Sequence, residues 1–330
     1  MKQTLAFVGT LIALTLCPAV ADARNIVITN DDGLTSNVVA LYKALKAEGH
    51  DVIVSVPCDN QSGMGAAIKI GQPLAPLRKA CRAGAAPVGA PGAGAMARPG
   101  IPAADFHYVD GTPVMAMLYG VDVLGQQRWG KVPDLVLSGP NEGQNVGAAI
   151  LGSGTVSAAQ MAAVKGLSAI ALSAGMRTVD DNALANPDSA KVAALSAELV
   201  ARLDRLSGGG RILPEGLALN VNFPDVLEGA KWQASRIGTY QAYDIRFVAD
   251  MARDPSPMMK AMTGQYGKDL PHLPGLSFGM NSAEPAPGQK EDESVVYRHA
   301  IAVSPMQAGY EPKALDGYVH WLVDRFDAGK

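Results

Sequence analysis

Short apolar segments alternate with helical stretches along most of this chain, and that alternation limits the possible fold more than any other feature. The strand-like segments share a compact apolar run and lie at residues 25–30, 51–56, 134–137, 169–173 and 217–223. Helical patterns lie at residues 38–48, 114–124, 156–166 and 189–206. Strands separated by helices form βαβ units with a parallel sheet. We therefore expect an α/β fold over residues 24–225, a three-layer α/β/α Rossmann-like domain with a mostly parallel sheet.

Two regions depart from this pattern. Residues 80–104 consist largely of Ala, Gly and Pro, a composition that predicts a flexible surface insertion without regular structure. After residue 226, strand-like runs at 232–237 and 295–303 flank a stretch rich in Pro, Gly and Met. We expect residues 226–330 to form a smaller, β-rich C-terminal appendage that ends in an amphipathic helix at 313–326.

The N-terminus has the layout of a secretory signal. Lys2 precedes an apolar run at residues 5–16, and small residues then lead to Ala21 and Ala23, either of which suits cleavage. The run is shorter than the roughly 20 residues that span a bilayer, so stable membrane insertion is not expected. A lipoprotein signal is a weaker alternative, because Leu16 precedes Cys17 where a small residue would be expected. Residues 1–23 are therefore predicted to be a signal peptide of an exported, periplasmic protein.

Charge and cysteine content narrow the possible partners. The formal net charge of -3, without a run of Lys and Arg, argues against a polynucleotide partner. A mature chain that has lost its signal keeps Cys58 and Cys81, which an oxidising compartment could pair, although the sequence does not decide whether they do. Two cysteines without neighbouring His do not indicate a zinc site.

The first predicted strand ends on two adjacent acids, Asp31 and Asp32. Ligands of open α/β sheets bind beyond the carboxyl ends of the strands, which is where these carboxylates would lie. The pair Asp32-Gly33 is also a common turn dipeptide. A turn needs only one acid, so the second one indicates a site.

Polar residues follow two further strands. Ser62 comes after the strand at 51–56 and Asn141 after the strand at 134–137, so a parallel sheet would bring both to the same edge as the acids. Two carboxylates, a hydroxyl and an amide oxygen suit Mg²⁺ or Mn²⁺ better than zinc. Each signal alone is also explained by a turn or a helix cap.

A turn of small residues precedes the helix predicted at 156–166. Ser153, Gly154 and Thr155 would let an anion approach free main-chain N–H groups at the helix N-terminus, which could hold phosphate. The competing interpretation is an ordinary N-cap at Ser153 or Thr155.

Six motifs occur in the order and approximate spacing of the SurE family of survival-protein nucleotidases, which the chain resembles over residues 25–224. They are Asn30-Asp-Asp-Gly, Asn60-Gln-Ser-Gly, Gly111-Thr-Pro, Ser138-Gly-Pro-Asn, Ser153-Gly-Thr-Val-Ser-Ala-Ala and Asn220-Val-Asn-Phe-Pro. The resemblance implies hydrolysis of phosphate monoesters with one divalent metal ion, most often as a 5'-nucleotidase acting on nucleoside monophosphates. It also implies a homo-dimer or homo-tetramer built through the C-terminal appendage.

The resemblance assigns roles to individual residues. It implies metal ligands at Asp31, Asp32, Ser62 and Asn141, with the two acids also catalytic, and phosphate contacts at Asn60, Ser153, Gly154 and Thr155. We expect direct attack by water, because the sequence shows neither a Ser, His and acid arrangement nor a reactive cysteine.

Some positions differ from the family pattern. The loop that usually begins Asp-Arg-Asn-Arg-Ser reads Cys58-Asp-Asn-Gln-Ser here and lacks both basic residues, and Met115 stands where Asp is usual. These differences keep two alternatives open. One is a broad-specificity acid phosphatase, and the other is a non-catalytic exported protein that binds phosphate or nucleotide.

Overall fold

The computed structural model describes residues 23–179, 183–254, 256–260 and 269–310. Most of the predicted signal peptide and the whole predicted helix at 313–326 lie outside the described residues. In the part of the chain that is described, no helix is both long and apolar enough to cross a membrane.

Eleven strands and six α-helices lie wholly within the described residues. The strands are β1 (Asn25–Thr29), β2 (Asp51–Pro57), β3 (Ala93–Ala95), β4 (Phe106–Val109), β5 (Leu135–Glu142), β6 (Ala169–Ala174), β7 (Leu217–Asn222), β8 (Trp232–Ala234), β9 (Tyr243–Val248), β10 (Gly275–Met280) and β11 (Ile301–Gln307). The helices are α1 (Ser36–Ala47), α2 (Pro113–Leu118), α3 (Gln126–Trp129), α4 (Gly154–Val164), α5 (Pro187–Ser207) and α6 (Glu293–Val296). A π-helical stretch, Tyr119–Gly125, joins α2 to α3.

Nine strands form one sheet in the order β3-β4-β2-β1-β5-β6-β7-β11-β8. The centre is parallel, with Ile28 of β1 opposite Val54 of β2 on one side and Leu137 of β5 on the other. Strand β11 runs antiparallel to β7. The predicted mostly parallel sheet is therefore confirmed.

Helices cover both faces of the sheet because the side chains of each strand alternate. Ile26 and Ile28 pack with α1 and α5 on one face, whereas Val27 between them packs with α2 and α4 on the other. Each of these side chains is fully buried, which contributes roughly 1.5–3 kcal/mol per residue. The sheet with helices on both sides is the predicted three-layer arrangement.

The segment 80–104 has more structure than its composition predicts. Strand β3 lies within it and pairs antiparallel with β4, where Gly94 is opposite Tyr108. The Tyr108 hydroxyl donates to the carbonyl of Pro91 at 2.7 Å, and a disulfide joins Cys58 to Cys81. The Tyr108 ring and the disulfide thus order this segment. The sequence did not predict its structure because the segment has no apolar periodicity.

The C-terminal region also differs from the expected appendage. Strands β8 and β11 belong to the main sheet, and only β9 and β10 form a separate antiparallel pair. The strand predicted at 295–303 is wrong in its first half, where Glu293–Val296 is helix α6. The carboxylate of Asp292, which precedes this helix, accepts from the main-chain N–H groups of Thr239 and Tyr240, both at 2.9 Å. Such tertiary contacts override the strand preference of the two valines that follow.

Candidate active site

Asp31 and Asp32 follow β1 directly, at the carboxyl edge of the sheet, and are only 3% and 2% exposed. The turn after them is closed by Asn30, whose side chain accepts from the N–H of Gly33 at 3.1 Å and donates to its carbonyl at 2.8 Å. Gly33 has φ of +84°, which favours glycine. Because Asn30 forms the turn, both carboxylates remain available for a site.

Asp31 lies against the N-terminus of α4. The N–H of Gly154 donates to its Oδ2 at 3.0 Å, and the hydroxyl of Thr155 donates to its Oδ1 at 2.5 Å. The same hydroxyl lies 3.4 Å from Oδ1 of Asn141, which places that amide oxygen beside Asp31. A helix N-terminus stabilises a negative charge placed there. The turn predicted to hold phosphate therefore holds Asp31 in this structure.

Asp32 is held from the other side. Its Oδ1 accepts from the side-chain amide of Asn60 at 3.1 Å, and its Oδ2 accepts from the main-chain N–H of Glu142 at 2.9 Å. The pairing of β5 with β6 shifts register between Ser138 and Asn141, an irregularity that can redirect the residues beyond it. Asn141 and Glu142 follow this irregularity at the end of β5, beside the acids.

Burial affects the pKa values of the two acids. It raises the pKa of Asp31, while hydrogen bonds from Thr155 and Gly154 oppose the rise. It raises the pKa of Asp32 well above its usual range, and the negative charges of Asp31 and Glu142 add to the effect. The positive charge of Arg82 opposes this rise only in part, so ionising both acids is costly unless a further cation binds beside them.

Sequence reasoning missed two charged residues at this site. The Arg82 guanidinium donates to the main-chain carbonyl of Asp32 at 2.8 Å and pairs with the Glu142 carboxylate at 3.0 Å. Arg82 lies in the Ala, Gly and Pro-rich segment, where no pattern marks a functional residue. Only Cys81 could have indicated Arg82 from the sequence, because the pairing of Cys81 with Cys58 brings Arg82 to the loop 58–62.

The other predicted site residues lie nearby with different contacts. Ser62 is exposed, and its main-chain N–H donates to Oδ1 of Asn60 at 2.8 Å. Ser153 is the N-cap of α4, since its hydroxyl accepts from the N–H of Val156 at 3.1 Å. The structure thus brings Asn60, Asn141, Gly154 and Thr155 to the carboxylate pair. Ser153 caps α4, and Ser62 is hydrogen-bonded to Asn60 but to neither acid.

The donors at the site fit a hard divalent cation. Asp31 and Asp32 would supply carboxylates, Asn141 an amide oxygen, and Ser62 of the adjoining loop a hydroxyl. Within the described ranges, no group of three or more His, Cys, Asp and Glu side chains is arranged to hold a metal ion. A site here would rest on two acids, neutral oxygens and water, a set that Mg²⁺ and Mn²⁺ accept.

The fold and the site together define a Rossmann-like α/β protein with a buried pair of acids at the carboxyl edge of its sheet. The family model described as survival protein SurE matches residues 26–244. The chain belongs to the SurE family.

Individual relatives agree with this assignment. The chain is 36% identical over 208 residues to an acid phosphatase of Yarrowia lipolytica, covering 60% of this chain and 56% of that protein. It is 39% identical over 150 residues to the 5'-nucleotidase SurE of Solidesulfovibrio magneticus, covering 45% and 49% of the two chains. The match thus spans about half the length of these two relatives. The crystal structure of the SurE protein from Aquifex aeolicus superposes with a TM-score of 0.61 at 25% identity, covering 90% of this chain and 99% of that one.

Proposed function

We propose that this protein hydrolyses phosphate monoesters with one bound divalent metal ion, Mg²⁺ or Mn²⁺, and acts as a 5'-nucleotidase on nucleoside monophosphates. The observation that carries the proposal is the burial of Asp31 beside Asp32. Two ionised acids in this position cost free energy, and a divalent cation would offset that cost. The relative named 5'-nucleotidase SurE supports the choice of substrate.

In this proposal, Asp31, Asp32, Asn141 and Ser62 hold the metal ion, which would stabilise the negative charge that develops on the phosphate oxygens. Gly154 and Thr155 orient Asp31 through their hydrogen bonds. Asn60 and the main-chain N–H of Glu142 orient Asp32. One of the two acids would accept the proton of the attacking water.

Phosphate contacts are proposed at Asn60 and at the turn formed by Ser153, Gly154 and Thr155. Asn60 is exposed and its side-chain amide donates to Asp32, so an ester could reach this amide from solvent. Carboxylate oxygens have several lone pairs, so Asp31 can keep its bonds to Gly154 and Thr155 while it binds a cation. Gly154 and Thr155 donate to Asp31 in this structure, so an ester held by the turn would have to take over one of these bonds.

Phosphate release from AMP, measured with Mg²⁺, with Mn²⁺ and with EDTA, tests the proposal. We expect EDTA to abolish activity and Asp32→Asn to lower it by about 10²–10³-fold. The control is Asp122→Asn, the same substitution at an acid that pairs with Lys165 just beyond the C-terminal end of α4, away from the site. Full activity of Asp32→Asn in EDTA would refute the proposed mechanism.

A broad-specificity acid phosphatase is the second candidate. It is favoured by the acid phosphatase of Yarrowia lipolytica among the relatives and by the altered loop 58–62. The ratio kcat/KM for nucleoside monophosphates against p-nitrophenyl phosphate and sugar phosphates separates the two. Tight binding of AMP by calorimetry, without phosphate release, would instead identify a non-catalytic binding protein.

We also propose that the protein is exported to the periplasm. The signal layout of residues 1–23 supports this, and so does the Cys58–Cys81 disulfide, because such bonds persist in oxidising compartments. The measurement is mass spectrometry of the mature protein from a periplasmic extract. An N-terminus at Asp22 or Arg24 is expected, and an uncut chain found only in the cytoplasm would contradict export.

Self-association through the C-terminal region is proposed as well. The pair β9 and β10 exposes several large apolar side chains, among them Phe247 at 71% and Leu276 at 62%. A contiguous apolar surface of this kind typically marks an interaction site. Light scattering should show a dimer or tetramer, and Phe247→Ser should shift it toward the monomer. A monomeric wild-type protein at micromolar concentration would contradict this proposal.

A further inference from the structure

Arg82 is tied to the loop 58–62 by two independent links. Its chain neighbour Cys81 forms a disulfide with Cys58, and both cysteines are buried. The main-chain N–H of Arg82 also donates to the carbonyl of Cys58 at 2.9 Å. The start of the segment 80–104 is therefore fixed beside the carboxylate pair.

The Arg82 side chain connects the two strand ends that carry the site. Its guanidinium donates to the carbonyl of Asp32, beyond β1, at 2.8 Å and pairs with the carboxylate of Glu142, at the end of β5, at 3.0 Å. The main-chain N–H of Glu142 in turn donates to Oδ2 of Asp32 at 2.9 Å. Arg82, Glu142 and Asp32 thus close a ring of contacts that fixes both the backbone and the carboxylate of Asp32.

This side chain is well placed to act on the site. It is only 17% exposed, so solvent screens its charge less than on an open surface. The loop 58–62 itself contains the acid Asp59 and no Lys or Arg. Lys79 pairs with Asp59 at 2.6 Å and is 76% exposed. Arg82 therefore brings a partly buried positive charge to a loop that carries none of its own.

Resting on the proposed function, we propose that Arg82 is a positioning residue for phosphate-ester hydrolysis. It holds Asp32 through the paired contacts with the Asp32 carbonyl and Glu142, and the Cys58–Cys81 disulfide holds Arg82 in place. Arg82 acts through Asp32, so its loss changes metal binding and turnover more than the affinity for the ester.

The test compares Arg82→Ala and Arg82→Lys with the control Arg78→Ala, which removes the same side chain from an exposed position four residues earlier. The readouts are the Mn²⁺ dissociation constant by calorimetry, and kcat and KM for AMP at saturating Mn²⁺. For Arg82→Ala we expect a Mn²⁺ dissociation constant about 10-fold higher and kcat about 10–100-fold lower, with KM within about 3-fold. Arg82→Lys keeps the positive charge but lacks the planar guanidinium that donates to two acceptors at once. Its Mn²⁺ dissociation constant and kcat should therefore stay within about 3-fold of those of Arg82→Ala. Arg78→Ala should match the wild type.

The role of the disulfide is tested by combining Cys58→Ala/Cys81→Ala with Arg82→Ala. If the disulfide acts through Arg82, its removal should weaken Mn²⁺ binding about 10-fold when Arg82 is present and less than about 2-fold when it is absent. Thermal unfolding of each variant shows whether it is folded. If Arg82→Ala does not fold, the comparison of Arg82→Lys with the wild type still tests the proposal.

Three results would overturn the proposal. They are unchanged Mn²⁺ binding in Arg82→Ala, full recovery in Arg82→Lys, and additive effects of the disulfide and Arg82. A wild-type protein that binds Mn²⁺ but releases no phosphate would refute the proposed function alone, because the calorimetric comparison still reports on Arg82.

Discussion

Substitution of Gly154 by alanine tests whether close packing of α4 against Asp31 maintains the site. A Cβ at residue 154 would lie 2.4 Å from Cγ of Pro113 and 2.7 Å from Cβ of Asp31. Carbon atoms in contact normally stay about 3.5–4.0 Å apart, so both the proline ring and Asp31 must move away from residue 154 by roughly 1 Å. Neither atom is the far end of a flexible side chain, so the backbone has to take up the shift.

The expected cost of Gly154→Ala follows from this overlap. Overpacking of this kind destabilises by about 1–3 kcal/mol, and a misplacement of about 1 Å at a catalytic group can cost about 10²-fold in rate. Part of the loss in stability is offset because alanine favours a helix over glycine by up to about 1 kcal/mol. We therefore expect a loss of roughly 1–2 kcal/mol in the free energy of unfolding and about 10²-fold in kcat.

Gly152→Ala is the matched control, because the nearest atom to its added Cβ is the carbonyl oxygen of Ala149 at 3.9 Å and its φ is -94°. Urea unfolding and phosphate release at saturating Mn²⁺ measure both variants. The control should keep wild-type activity and stability within about 0.5 kcal/mol. If Gly154→Ala matched Gly152→Ala in both measurements, the packing of α4 on Asp31 would not matter.

Three further predictions concern buried groups. Burial raises the pKa of Asp32, so its ionised form destabilises the metal-free protein at neutral pH. Asp32→Asn should therefore raise the melting temperature in EDTA and abolish the rise in melting temperature that Mn²⁺ gives the wild type. A lower melting temperature of this variant in EDTA would contradict the prediction. Burial also raises the pKa of Glu293 from 4.5 to about 7. The stability that Glu293 contributes is complete below pH 4.5 and is lost as the pH rises through about 7. The free energy of unfolding in urea should therefore fall between about pH 5 and 8, and it should fall less in Glu293→Gln. An equal slope in both proteins would exclude Glu293 as the cause. Finally, the Cys58–Cys81 disulfide joins residues 23 apart in sequence, and the chain entropy of such a loop gives a stabilisation of about 3 kcal/mol. The free energy of unfolding of Cys58→Ala/Cys81→Ala, measured in urea, should be lower by about that amount. A loss below about 1 kcal/mol would indicate an unfolded state that is already compact in this region.

The central sheet could be predicted because its strands are buried on both faces. Such strands have near-continuous apolar runs, and β1, β2, β6 and β7 lie within one or two residues of their predicted positions. Short edge strands such as β3 consist of small residues, whose pairing depends on a partner distant in sequence. Helix α6 was missed for a related reason, since Val295 and Val296 prefer strands and only contacts made in the folded chain decide otherwise.

The site could be predicted in part. Asp31 and Asp32 were recognisable because two acids exceed what a turn needs, and the structure shows that Asn30 makes the turn. The contact from Glu142 to Asp32 uses a main-chain N–H, which any residue but proline could supply. The Glu142 side chain acts on Asp32 through its negative charge and also pairs with Arg82, a contact that spans 60 residues of sequence. No pattern within a single strand or loop could have revealed it.

The two acids are held by different parts of the molecule. Asp31 is fixed by α4, which packs on the main sheet, so its surroundings follow from the packing of the core. Asp32 is fixed by the loop 58–62 and by Glu142, and both are linked to Arg82 and to the disulfide beside it. Reduction of the disulfide should therefore loosen Asp32 and leave the contacts of Asp31 in place. It follows that a change at Gly154 should alter folding stability together with turnover, whereas a change at Arg82 should alter metal affinity and turnover in a protein of nearly unchanged core stability.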